Sequence, residues 1–233
     1  MNIPMQISLV SEKTEQAIKF FFSKSYSIIP ISLLIILIIS GCAKEPTSPT
    51  IDETVLVPLK VGNTWEYRHT EYYYEGIIEN SQQYSYSIVK DSIINGETIY
   101  ISGYISGIDT LRDYSHELFT LIRDDGLYFI DLINEGTTPR MYIKYPTFKG
   151  DSFIYYHDTM KTAEVDVEYT VPAGKFKCIK YVYDNYIDNE IEMRWIFYYS
   201  PGIGNIATEF YYRYNHDHLW LNEKTVLMSF KFK

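Results

Sequence analysis

The chain has 233 residues, with 21 Lys plus Arg against 30 Asp plus Glu and a formal net charge of −9. A phosphate-binding surface needs clustered cations, so this balance excludes nucleic acid as an expected partner and argues against electrostatic adhesion to anionic lipid. Tyrosine is the compositional outlier at 24 residues, beside 12 Phe, and aromatic side chains suit the pleated, half-buried surface of an all-β protein.

In chain order, the first readable element is the apolar run Ile28–Ile38, preceded by Lys19 and Lys24 and closed by Ile39-Ser40-Gly41-Cys42. The run falls short of the roughly 20 apolar residues that a bilayer span needs. A positive flank, a short apolar stretch, small residues and then one cysteine make a secretory signal peptide of the lipoprotein type. The end of the run resembles the bacterial lipobox. That resemblance implies cleavage between Gly41 and Cys42 and acylation of Cys42 by chains such as palmitate. The competing reading, an uncleaved anchor helix with a chance cysteine, does not account for Ser40-Gly41 immediately before Cys42. Residue 43 is Ala and not Asp, which by resemblance to the proteobacterial sorting rule implies the outer membrane.

Residues 1–41 are thus expected to be a signal peptide, leaving 192 residues with 18 basic and 28 acidic side chains, a net charge of −10. That length suffices for one domain with a full core. An acidic chain must hold the membrane through lipid on Cys42, and stable anchoring takes two or more acyl chains. Residues 42–57 hold Pro46 and Pro49 among small polar residues, without periodicity, and read as a flexible tether. Residues 58–233 are expected to form a single antiparallel β domain.

From Pro58 onward, turn signals recur every 8–14 residues or so and the segments between them alternate. Asn95-Gly96 joins Ser85–Ile94 to Glu97–Ile105, the strongest short-range hairpin signal. Asp124-Asp125-Gly126 joins Leu118–Arg123 to Leu127–Leu132. Lys149-Gly150-Asp151 separates Arg140–Tyr145 from Ser152–His157, and Pro172-Ala173-Gly174 separates Ala163–Thr170 from Phe176–Tyr183. Asn185 to Asn189, Pro201 to Gly204 and Asn215-His216-Asp217 close further hairpins before a last strand, Thr225–Phe232. The expected fold is an antiparallel meander of about ten strands, which must dispose of its two edges by forming a strongly curved sheet, half-barrel or barrel.

The face assignment carries the functional hint. Trp65, Tyr67 and His69 share one face of the first strand, and Tyr84, Tyr86 and Ile88 line up, as do Phe197 and Tyr199, and Phe210, Tyr212 and Tyr214. Tyrosines on both faces suggest either a wet aromatic surface or a cavity whose walls also hydrogen-bond. The competing reading is tyrosine decorating a solvent face. Trp65, Tyr67, Phe197 and Tyr199 are the candidate ligand-contacting aromatics.

Signals for catalysis are weak. With Cys42 acylated, Cys178 has no partner for a disulfide. Its alternating apolar flanks make it a buried structural thiol, with no local base to stabilise a thiolate. No Gly-x-Ser-x-Gly elbow, phosphate-cradling loop or His-Glu-x-x-His occurs. His216-Asp217-His218 offers two metal-like ligands without a third. The carboxylates at Asp124-Asp125 and Asp184 to Asp188 read as solvated turn formers. No catalytic residue, metal or cofactor is expected.

Three stretches resemble a known family: Pro58-Leu59-Lys60-Val61-Gly62-Asn63-Thr64-Trp65-Glu66-Tyr67, then Val171-Pro172-Ala173-Gly174-Lys175-Phe176-Lys177-Cys178, then Tyr198-Tyr199-Ser200-Pro201-Gly202-Ile203-Gly204. In that order they are similar to secreted bacterial lipoproteins of the TapB-like or domain-of-unknown-function kind. These resemble in architecture the LolA/LolB-like curved antiparallel sheet around an apolar cavity. The resemblance implies a fold, a compartment and a cavity, and transfers no catalytic residue. The expected function is noncatalytic binding of an apolar or amphipathic ligand, or of an envelope protein, by a lipid-anchored envelope protein. The alternatives are a structural or glycan-binding module and, third, a carbohydrate or cell-wall hydrolase with two carboxylates at roughly 5–10 Å.

Overall fold

Twelve antiparallel strands form among the described residues, which are 51–73, 76–106, 118–130, 138–155, 158–214 and 218–233 of a computed structural model. They are β1 (Thr64–Tyr73), β2 (Ile77–Ile94), β3 (Glu97–Ser106), β4 (Leu118–Arg123), β5 (Gly126–Ile130), β6 (Arg140–Lys144), β7 (Ser152–Tyr155), β8 (Asp158–Val171), β9 (Gly174–Ile187), β10 (Glu190–Ser200), β11 (Gly204–Arg213) and β12 (Leu219–Lys231). One sheet holds them in the order β6-β5-β4-β3-β2-β1-β12-β11-β10-β9-β8-β7. The meander runs outward from β1 to β6, and returns from β7 to β12, which pairs with β1. The expected all-β antiparallel class is therefore the observed one, with no α-helix among the described residues.

Twelve strands exceed the expected ten or so, and several are longer than the alternation indicated. β2 begins at Ile77, well before Ser85, because its polar stretch Asn80 to Gln83 pairs with β1 along the backbone, with the Ser81 and Thr70 hydroxyls 3.3 Å apart. β12 likewise begins at Leu219 and not at Thr225. Two-residue connections sit at Asn95-Gly96, Asp124-Asp125 and Pro172-Ala173, as expected. Ile203 N donates to Ser200 O at 3.0 Å around Pro201-Gly202, with Gly202 at φ +74°. Proline second and a positive-φ glycine third make this a type II turn.

The sheet curls around the face that carries Trp65 and Tyr67. Tyr142 of β6 and Tyr155 of β7 both meet Phe197 of β10 there, with ring centroids 6.4 and 6.1 Å apart. β6 and β10 stand far apart in the strand order, so only strong curvature brings them together. The two edge strands also meet side by side. Tyr142 packs on Tyr155 at 5.6 Å, Lys144 Nζ reaches Asp151 Oδ2 at 2.9 Å, and Tyr181 OH donates to Lys144 O at 2.7 Å. No ladder joins β6 to β7, so the nearly closed barrel has a side-chain seam.

Two features depart from a simple barrel. Bulges between Thr162 and Val167 bend the β8–β9 hairpin, and its tip packs on β11 and β12. There Ala173 N donates to Leu227 O at 3.3 Å, and the Tyr169 ring lies 4.1 Å from that of Tyr198. This layer buries the outward Tyr198, Ala207 and Val226, although Tyr199, Ile206 and Leu227 beside them are already buried inward. A strand normally buries one face; here three strands bury both. The second feature concerns the tether expected at 42–57. Its C-terminal part is packed, with Leu56 and Val57 in the main core and Val55 O accepting from Gly202 N at 2.7 Å. Two apolar side chains with a core to join outweigh the surrounding polar composition. Cys42, Gly41 and the rest of residues 1–50 lie outside the described residues.

Candidate functional site

A meander sends its connections alternately to two ends. One end collects residues 51–63, the turns after β2, β4, β6, β8 and β10, and the chain terminus at Lys233. At the other end β1, β3, β5, β7, β9 and β11 finish and the strand that follows each begins. We call these the near and far ends, by the side on which residue 51 sits.

On the inward face, burial falls steadily from near to far. In β1, Trp65 and Tyr67 are buried and His69 is partly exposed. The same step occurs from Ile88 to Tyr86 and Tyr84 in β2, from Tyr181 to Tyr183 in β9, and from Tyr199 and Phe197 to Trp195 in β10. In β3 it is sharpest, from fully buried Ser102 to Tyr104, which is 41% exposed. Tyr104 nevertheless has rings on its flanks, Tyr86 at 5.3 Å and Tyr84 at 5.7 Å. The near half of the barrel is filled, and the inward face of the far half is lined by partly exposed rings, which we call the aromatic cup.

The cup wall is nearly continuous. Tyr84 stacks on Tyr67 at 5.4 Å, and Tyr86 packs on Trp65 at 5.6 Å. Across the sheet, Trp195 stacks on Phe210 at 4.3 Å and on Phe197 at 6.2 Å, while Tyr155 meets Tyr183 at 5.3 Å. Such offset and edge-on pairs each add about 0.5–1.5 kcal/mol beyond burial. Burial, then the neighbouring phenols, raise the Tyr104 pKa; burial pushes Tyr84 up to about 12. Tyr67 lies well above the ordinary value for the same reasons. The phenols are therefore neutral over the physiological range and present ring faces and hydroxyls without charge.

The four expected ligand aromatics all lie inward, at or below the cup floor. Trp65 and Tyr199 belong to the filled half, and the Trp65 indole N–H donates to Ile203 O at 2.8 Å. Tyr67, whose hydroxyl donates to Asn205 O at 3.0 Å, and Phe197 sit one layer higher and touch the open rings. Sequence reasoning placed Tyr84 and Tyr86 together but missed Tyr104, Tyr142, Tyr155 and Trp195. Trp195 stands two residues before Phe197, so alternation alone could have found it. The other three need the register and the curl.

Elsewhere, Cys178 is buried and unpaired, and burial pushes its thiol up to about 12. A thiol so protonated is inert, in keeping with a structural role. Among the described residues no group of three or more His, Cys, Asp or Glu is placed to hold a metal. His216 and Asp217 lie outside those residues, and the His218 ring packs against Trp220 at 4.0 Å.

No family model matches this chain, and no curated protein sequence matches it. Among solved structures it is similar to a candidate lipoprotein from Parabacteroides distasonis ATCC 8503, with a TM-score of 0.50 and 17% identity over 77% of this chain and 100% of that one. It is also similar to a candidate exported protein with a YmcC-like fold from Bacteroides fragilis NCTC 9343, with a TM-score of 0.49 and 13% identity over the same shares. At 17% identity the first likeness shows the fold alone: an all-β antiparallel sheet of this kind.

Proposed function

We propose that the chain is a lipid-anchored protein of the bacterial cell envelope, attached through Cys42, that binds an amphipathic ligand in its far-end aromatic cup. The role is one of binding and not of catalysis. The inward burial gradient from the filled near half to the solvent-reached Tyr104 carries the cup. Neutral ring faces favour an apolar or planar moiety, and the hydroxyls among them suit a ligand with polar edges. Ile39-Ser40-Gly41-Cys42, with the fold shared by a candidate lipoprotein, supports the envelope and the anchor; Ala43 favours the outer membrane. The sequence resemblance to lipoproteins with a LolA/LolB-like curved sheet supports a held ligand.

Two measurements test this reading. Cys42→Ala should move the protein from the membrane fraction to the soluble fraction; a protein that still sediments refutes the anchor. Native mass spectrometry of lipidated protein from its own envelope should show a bound small molecule, lost in Tyr104→Arg and kept in Tyr73→Arg. Tyr104 and Tyr73 are both partly or largely exposed, so neither change disturbs the core. An empty wild type, or equal occupancy in the two variants, would sink the cup as a ligand site.

A further inference from the structure

Both ends of the barrel expose apolar side chains, the far end at Tyr73, Ile77, Ile78, Tyr186 and Ile187. At the near end Phe148 and Ile93 are 74% and 75% exposed, and Ile94, Ile51 and Val61 are also exposed. Isolated apolar side chains on a surface need no explanation; several on one end of a molecule do. Bonds along the rim hold them together at that end. Tyr145 OH donates to Glu53 O at 2.6 Å and Tyr145 N to Asp125 O at 3.0 Å, fixing the loop before Phe148 to both the first residues and the β4–β5 turn. Arg123 joins that turn to the β2–β3 turn through Glu97 at 2.7 Å. Gly62 N donates to Ile88 O at 2.8 Å beside Val61.

This is also the end where the chain arrives. Nine peptide units separate Cys42 from Ile51. They reach about 30 Å at most. β1 alone, ten residues long, spans about 33 Å. An acyl group on Cys42 would thus hold the near end within about 30 Å of the bilayer. Two near-end carboxylates have cationic partners, Glu97 with Arg123 at 2.7 Å and Asp151 with Lys144 at 2.9 Å, beside exposed Glu53 and Asp124. Lys60 and Lys149 add cations there. The far end instead sets its exposed Tyr73, Ile77 and Ile187 beside Glu71, Glu79 and Asp188, a poor surface for anionic lipid.

We infer that the near end is a lipid-docking surface, with Phe148, Ile93, Ile94 and Val61 seated in the headgroup layer of the membrane that holds Cys42. The inference rests on the anchored reading and goes beyond it by fixing the orientation of the domain. Side chains at this depth enter about 5–10 Å into the headgroup and acyl boundary.

The test uses full-length lipidated protein in phosphatidylethanolamine–phosphatidylglycerol vesicles containing a headgroup-spin-labelled lipid. A single thiol is introduced and labelled with an environment-sensitive fluorophore, as Phe148→Cys, Ile93→Cys, Ile77→Cys or Tyr186→Cys. An acylated Cys42 has no thiol and Cys178 is buried, so only the new cysteine reacts. The near-end labels at 148 and 93 should be quenched several-fold more strongly than the far-end labels at 77 and 186, with blue-shifted emission. Equal quenching at the two ends overturns the inference while leaving the anchor standing. Blue shifts that appear only at high protein density, without headgroup quenching, assign the surface to a second copy and also overturn it. Wild type and Cys42→Ala that both fail to sediment with vesicles refute the anchor, and the docking falls with it.

Discussion

Glu209 shows how a single residue is made tolerable by its neighbours. It is a buried carboxylate on the outward face of β11, where the β8–β9 tip covers it. Burial by itself would raise its pKa. Tyr169 OH at 2.7 Å, Lys224 Nζ at 3.0 Å and Tyr211 OH at 3.1 Å outweigh burial and hold the group below its ordinary 4.5. A folded-state pKa depressed below the unfolded value means that ionised Glu209 stabilises the fold above pH 4.5, and that this contribution fades as pH falls through the lower folded value. Glu209→Gln keeps the shape and discards the titration. Urea midpoints of wild type and Glu209→Gln should differ at neutral pH and converge as pH drops below 4.5. A gap that stays constant with pH would show that the carboxylate charge adds nothing. Removing one partner of a buried charge leaves the other uncompensated, so Tyr169→Phe and Lys224→Met should each cost more than Glu209→Gln.

At the scale of elements, turns were legible and packing was not. Asn95-Gly96 and Pro201-Gly202 act through their own φ values, so their chemistry is readable without knowing what surrounds them. Gly202 has a second role that no local pattern announces. A Cβ there would stand 2.4 Å from Ile51 Cγ2 and 2.8 Å from Asp52 O, at φ +74°. An L-residue in the left-handed region costs roughly 1–2 kcal/mol, and relieving the contact must push residues 51–55 off the β10–β11 turn. Gly202→Ala should lower stability by at least that amount and should raise amide exchange at Val55, Leu56 and Val57 above that of the strands. Unchanged exchange there would mean that the segment is held by its own side chains. The same gap between local and long-range information explains the cup. Alternation placed Trp65, Tyr67, Tyr84, Tyr86, Phe197 and Tyr199 on their faces. It could not tell a filled layer from an open one, because that depends on which strands the curl brings opposite. Tyr142 and Tyr155 reach Phe197 only through the joint approach of β6, β7 and β10. The packed Leu56 and Val57 were hidden by the polar residues before them.

For the whole molecule, the strand order sets where the barrel opens most easily. β1 and β12, early and late in the chain, pair at the centre of the sheet over eight register positions, so non-local contacts hold its middle. β6 and β7, adjacent in sequence, are its edges, with five and four residues. Their junction depends on side chains, with Tyr142 against Tyr155 and Lys144 with Asp151, while Tyr181 OH of β9 also holds β6 through Lys144 O. Local opening follows the region with the fewest backbone bonds to break. It should therefore begin at this seam, beside the rings of Tyr142 and Tyr155. Native-state amide exchange should show β6 and β7 opening at much lower free energy than β1, β12, β9 and β10. Removing the Lys144–Asp151 contact with Lys144→Met should accelerate exchange in β6 and β7 more than in β1 or β12. A surface ion pair is worth about 0–1 kcal/mol, so the change should be a few-fold and confined to the seam. Uniform protection across all twelve strands would show instead that the barrel opens only by global unfolding.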